Sequence, residues 1–139
     1  MTPLYAQDHD YSQYLVLAVD DIPLNLLLVQ KMLGRFNFRL NTAANGQQAL
    51  ESVAKEKPDL ILLDLMMPGI DGFEVIRRLR ANPATADIQI VILSALNSNE
   101  DVVKGFNVGA NDFIMKPIIM EKLLNTVVTQ LQLVEARKK

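Results

Sequence analysis

A chain of 139 residues, half of them hydrophobic, has the length of one domain with one substantial core. Fourteen Lys and Arg against sixteen Asp and Glu give a formal net charge of −2, which offers no basic face for nucleic acid and no polybasic membrane patch. The lack of cysteine excludes disulfides and thiolate metal sites.

The chain begins "MTPLYAQDHDYS", with no Lys or Arg and no apolar stretch of the kind a secretory signal needs. Residues 1–12 are expected to be a short extension, and His9 within it is assigned no role. No apolar run approaches the roughly 18 residues of a membrane helix, so a cytoplasmic protein is expected.

From Tyr14 onward two kinds of segment alternate. "YLVLAV" (14–19) predicts a first strand, apolar on both faces. Leu24 to Leu33 is apolar nearly all round, with Pro23 near a helix start and Gly34 as a stop. "FRLNTA" (38–43) alternates apolar and polar residues, which suits an edge strand. Ala49, Leu50 and Val53 mark a short second helix. "LILL" (60–63) predicts a fully buried strand, and Phe73, Val75, Ile76 and Leu79 mark a third helix. "IQIVIL" (88–93) is a fourth strand. "SNED" (98–101) is a capping-box pattern ahead of Val102, Val103 and Phe106. "FIM" (113–115) predicts a fifth strand covered on both sides. Leu123, Leu124, Val127, Val128, Leu131 and Val134 keep the three-and-four spacing of one buried helix face. The alternation βαβαβαβαβα predicts an α/β fold, a parallel sheet with helices on both faces.

In such sheets ligands bind beyond the carboxyl ends of the strands. Asp20 and Asp21 follow the first strand, Asp64 the third, Ser94 the fourth, and Lys116 with Pro117 the fifth. The edge strand ends in "AANG", which offers no such group. Singly, each has an ordinary explanation. Acidic residues before a helix cap its free N–H groups, an Asp after a strand is commonly a turn residue, and a strand-end Ser bonds to nearby backbone. All of them on one rim point to a site. Three carboxylates converging within about 5 Å repel by roughly 3 kcal/mol per pair at an effective dielectric near 20, unless a cation gathers them. Oxygen donors without His or Cys favour a hard ion, and a site open to phosphate and water suits Mg²⁺.

The motifs "VDD" (19–21), "LDLMMPGIDG" (63–72), "LSA" (93–95) and "MKP" (115–117) resemble the receiver domain of two-component response regulators. The likeness covers residues 13–135, leaving 136–139 as a tail. It implies a five-stranded doubly wound sheet in the flavodoxin-like order 2-1-3-4-5 with five flanking helices. It implies that Asp64 is the phosphoacceptor, served by a histidine kinase or phosphotransfer protein. Asp20 and Asp21 would hold Mg²⁺, with Asp64 and the backbone carbonyl of Met66 completing the protein ligands. Lys116 would pair with the phosphoryl oxygens, across a cis bond to Pro117. Ser94 would move in to bond the phosphoryl group, and Phe113 would be the aromatic switch.

Two positions that in relatives often carry polar side chains orienting the hydrolytic water are here Met66 and Leu96. Slow self-dephosphorylation is therefore expected. The protein would be a regulator rather than an enzyme, acting through the fourth-helix and fifth-strand surface on an unidentified protein partner. It would be a monomer or a phosphorylation-dependent dimer. No output domain is read after the last helix, and both a stand-alone regulator and a fragment of a longer protein fit the sequence.

Other classes fit less well. A phosphatase of the haloacid dehalogenase type needs a second Asp two residues after the nucleophile, where Met66 stands. A flavin-binding protein of this fold needs Ser, Thr and Gly after the first strand, whereas "VDDIPLN" would repel a phosphate. A receiver-like interaction module that is never phosphorylated remains the open rival.

Overall fold

The computed structural model describes residues 11–96 and 98–138, so His9 lies outside the described residues. In chain order the elements are β1 (Leu15–Val19), α1 (Pro23–Gly34), β2 (Arg39–Ala43), α2 (Gly46–Lys55), β3 (Leu60–Leu63), α3 (Gly72–Ala81), β4 (Gln89–Ser94), α4 (Asn99–Val108), β5 (Asp112–Met115) and α5 (Met120–Lys138). The five strands form one sheet in the order β2-β1-β3-β4-β5, parallel throughout.

The strand sequences build two cores by simple alternation. Val16, Ala18, Leu60, Leu62, Val91, Leu93 and Ile114 face Val29 and Leu33 of α1 and the Leu123–Leu131 stripe of α5. Leu17, Val19, Ile61, Leu63, Ile90 and Ile92 face Ala49 and Val53 of α2 and Val75, Ile76 and Leu79 of α3. Side chains on successive strand residues point to opposite faces, so one apolar run serves both layers. Each buried Leu, Ile or Val contributes roughly 1.5–3 kcal/mol. β3 is buried along its whole length and sits in the middle of the sheet. It is a rigid post.

Several elements depart from expectation. β5 is the edge strand opposite β2 that the order 2-1-3-4-5 implied, but Met115 at its end is half exposed rather than covered. α1, read as apolar nearly all round, leaves Leu24, Leu27 and Leu28 facing outward. Gly34 is its last residue, and the chain reverses at Asn37, whose φ is 64°. Ser98 caps α4 by accepting the Asp101 N–H at 3.1 Å. The Asp101 carboxylate accepts a hydrogen bond from the Ser98 hydroxyl at 2.6 Å instead of reaching back to the cap's own N–H. Tyr11, in the stretch expected as an extension, is buried and stacks on Phe38 at 4.8 Å between ring centroids. α5 runs on past residue 135. Among the described residues, no helix is long and apolar enough to cross a membrane.

Opposite the strand carboxyl ends, Arg80 of α3 ties three segments together. Its guanidinium donates to the carbonyls of Ala86 (2.9 Å), Ile88 (2.6 Å) and Gly109 (2.9 Å) and to Asn111 Oδ1 (2.8 Å). Asn111 Oδ1 also accepts the Ile90 N–H at 2.7 Å, so the starts of β4 and β5 share this knot. Arg80→Ala leaves these acceptors without their donor and is expected to lower stability by about 2–4 kcal/mol. Urea denaturation checks this; a loss no larger than that of an ordinary surface substitution contradicts it.

Candidate functional site

β1 and β3 are hydrogen-bonded neighbours in register, Val19 opposite Leu63. The residues that follow them are therefore side by side. Asp64 N–H bonds to the Val19 carbonyl at 3.0 Å, and Asp20 N–H to the Ala43 carbonyl at 3.1 Å. A carboxylate oxygen from each of Asp20, Asp21 and Asp64 lies within 4.8 Å of the others. Asp20 and Asp64 are buried, and Asp21 is exposed.

The fifth strand supplies the counter-charge. Lys116 Nζ stands 3.0 Å from Asp20 Oδ2 and 3.6 Å from Asp64 Oδ2. The ammonium group thus serves two carboxylates from a point nearer Asp20. The Lys116–Pro117 bond is cis, as the resemblance implied. Asp64 Oδ1 also accepts the Met66 N–H at 3.3 Å. Burial pushes the Asp64 carboxyl above the usual range. Lys116 opposes that rise, and the negative charges of Asp20 and Asp21 reinforce it. Burial and like charge outweigh the lysine.

Close packing fixes the post. Gly72, the first residue of α3, sits so near that a Cβ there would lie 2.7 Å from the Asp64 carbonyl oxygen and 2.8 Å from Leu65 Cα. Only glycine permits this approach. Asp71 caps the helix by accepting the Glu74 N–H at 2.9 Å, which explains the "GIDG" that follows Asp64.

The remaining predicted residues lie at the same rim with distinct contacts. Ser94, the last residue of β4, is fully buried, and its hydroxyl oxygen accepts the Leu96 N–H at 3.1 Å rather than meeting the carboxylates. Its carbonyl accepts the Lys116 N–H at 2.8 Å, so the backbone couples the two positions. Phe113 packs against the second core beneath Gly105 of α4, where an added Cβ would lie 3.3 Å from the ring. The Met66 side chain is 59% exposed, whereas Leu96 is partly buried against the core.

Sequence reasoning missed Asn25. Its amide donates to Asp20 Oδ2 at 3.1 Å. The available signal was one amide set among Leu24, Leu26, Leu27 and Leu28 in the first turns of the helix.

The donor set fits a small hard cation. Three carboxylates converge, with no His or Cys among them, and one is solvent-facing.

Comparisons with known proteins agree with this geometry. Residues 16–128 match the family model of the response regulator receiver domain. "Response regulator PleD" of Caulobacter vibrioides is 44% identical over 103 residues, 74% of this chain and 23% of that protein. "Protein PilH" of Pseudomonas aeruginosa is 34% identical over 112 residues, 81% of this chain and 93% of that protein. The solved structure of chemotaxis protein CheY4 of Vibrio cholerae superposes with a TM-score of 0.78 at 33% identity, covering 82% of this chain and 95% of that one. The chain spans about a quarter of the length of the first curated relatives it matches. Receiver domains of this family are phosphorylation-activated signalling switches that generally bind Mg²⁺ at an acidic pocket. The chain belongs to the response regulator receiver domain family.

Proposed function

We propose that Asp64 accepts a phosphoryl group from a histidine kinase or phosphotransfer protein, and that the resulting charge changes the surface of α4, β5 and α5 read by a protein partner. The observation that carries this is the meeting of three carboxylates with one ammonium group at the end of the most buried strand. Asp20, Asp21, Asp64 and the Met66 carbonyl would hold Mg²⁺, which when bound neutralises phosphoryl oxygens.

The chain's own residues do the rest. β3 holds Asp64 still, so that one carboxylate oxygen can approach phosphorus in line as the bond from phosphorus to the donor imidazole breaks. Lys116, already between two carboxylates, is within reach of new negative charge. The product carries about −1.5 to −2 charge. Moving a two-state equilibrium from 1:99 to 99:1 needs about 5.5 kcal/mol. Charge-assisted bonds from Ser94 and Lys116, at roughly 1.5–3 kcal/mol each, supply about 3–6. Ser94 Oγ now accepts the Leu96 N–H at 3.1 Å, and its hydroxyl can donate to a phosphoryl oxygen while keeping that contact, so a shift of Ser94 towards the phosphoryl group would draw the β4–α4 connection with it. Phe113, under α4, is the side chain that would follow. The chain would act in the cytoplasm as a regulator, alone or as a phosphorylation-dependent dimer.

The test is incubation with Mg²⁺ and acetyl phosphate, followed by mass spectrometry. One phosphoryl group on Asp64, lost when EDTA replaces Mg²⁺, is expected. No uptake favours an interaction module that is never phosphorylated.

The apolar side chains of Met66 and Leu96 offer an attacking water no hydrogen bond. Met66→Asn together with Leu96→Glu is expected to shorten the phosphoryl lifetime about tenfold or more, since positioned general-base or orienting groups contribute roughly 10²–10⁴-fold. Decay of labelled protein after donor removal measures this, and an unchanged rate contradicts it.

A further inference from the structure

Of the three converging carboxylates Asp20 has the most hydrogen-bond partners among the described residues, and its amide partner has no part in the function just proposed. Oδ1 accepts the Ile22 N–H at 2.9 Å. Oδ2 accepts both Lys116 Nζ at 3.0 Å and Asn25 Nδ2 at 3.1 Å. Asn25 is half-buried and fixed by α1, its own N–H bonded to the Ile22 carbonyl at 3.0 Å. Its neighbours Leu24, Leu26, Leu27 and Leu28 make it the polar exception on that turn.

The two donors on Oδ2 differ in kind. Lys116 neutralises Asp20, and it is shared with Asp64 at 3.6 Å. Asn25 donates a hydrogen bond without cancelling charge. When Lys116 turns to phosphoryl oxygens, Oδ2 loses its ammonium partner, and a buried carboxylate oxygen stripped of its donor is strongly disfavoured. The amide remains. It keeps the carboxylate oriented while leaving its full negative charge for a cation.

We propose, resting on the function above, that Asn25 is a positioning residue that holds the Asp20 carboxylate for the cation and lets Lys116 be handed over to the phosphoryl group. It touches neither. It acts through Asp20, as groups hydrogen-bonded to metal ligands do, and removing such groups commonly weakens metal binding about 10–100-fold.

Titration of the full chain with MgCl₂ by calorimetry tests this, alongside thermal denaturation in EDTA. Asn25→Leu keeps the branched shape and removes the donor; Asn25→Ala removes it without adding bulk. Both are expected to raise the Mg²⁺ Kd about tenfold. The melting temperature in EDTA should stay at the wild-type value, because Lys116 still holds Asp20 there. An unchanged Kd in either variant overturns the proposal. So does a weaker Kd accompanied by a matching loss of stability in EDTA, which marks a merely structural role. A wild-type protein that binds no Mg²⁺ overturns the underlying function instead, and is read independently of the variants.

Discussion

Asp64→Asn is expected to take up no phosphoryl group from acetyl phosphate under conditions that label the wild type, and to melt several degrees higher in EDTA at pH 7. The first effect follows from chemistry: a carboxamide oxygen is no nucleophile for phosphorus. The second follows from the site's electrostatics. Burial and the charges of Asp20 and Asp21 raise the Asp64 carboxyl above its ordinary value despite Lys116. Between the unfolded value, about 4, and that raised value, the folded protein binds more protons than the unfolded chain. Stability therefore falls as pH rises through this window, and the deficit is complete above the folded value. Asparagine removes the ionised group and the deficit with it. The two proteins should converge in stability below about pH 4 and diverge towards neutrality. Equal melting temperatures at pH 7 without metal would show that the carboxylates are not in conflict.

The opposite change, Lys116→Met, should have an effect of similar size. It removes the ammonium group that lies 3.0 Å from Asp20 and 3.6 Å from Asp64, both buried. Breaking a buried pair from one side typically costs about 3–5 kcal/mol. The lysine side chain retains 18% exposure and Asp20 keeps the Ile22 and Asn25 donors, so a loss of about 2–3 kcal/mol is expected in EDTA. Added Mg²⁺ should restore part of it by supplying positive charge to the same oxygens. Phosphoryl uptake should slow by about 100-fold or more, the usual effect of removing one donor aimed at developing charge. Denaturation with and without Mg²⁺, and a labelling time course, check both parts. Uptake at the wild-type rate would remove Lys116 from the chemistry.

The opposed signs of these two substitutions are the signature of the site. A structural ion pair would lose stability from either side. Here the acid is in excess, so removing an acid relieves the fold and removing the base strains it. That asymmetry is what a bound cation would correct.

Much of this was legible in the chain. β1, β3 and β4 lie inside the sheet with helices on both faces, so their apolar runs are interrupted only by Gln89 at the start of β4, and their ends, with the groups that follow, could be read directly. β5 misled only in its cover, because an apolar run of three residues does not reveal that Met115 at its end stays half exposed. In α1 the Leu-rich pattern carries no polar face, so which side packs inward is decided by the sheet and not by periodicity. Tyr11 lies outside any periodic segment, and its ring contacts with Phe38 and Tyr14, just before β2 and β1, give it a place.

The site divides in the same way. Asp64, Lys116, Ser94 and the Asp20–Asp21 pair announce themselves by standing at strand ends, a property of local sequence. The pairing of Lys116 with Asp20 joins residues 96 positions apart and depends on the strand order, which was inferred from family likeness. Asn25 and Arg80 were missed for a related reason. An amide on a helix and an arginine near a helix end are ordinary, and their importance comes only from the acceptors that the fold brings to them.

A crystal structure of the protein grown with Mg²⁺ and beryllofluoride bears most directly on the central claim. The account predicts a metal ion held by oxygens of Asp20, Asp21, Asp64 and the Met66 carbonyl, with the beryllium group on Asp64 and the Lys116 ammonium turned towards its fluorines. Carboxylates pointing apart around an empty rim, at saturating Mg²⁺, would contradict it.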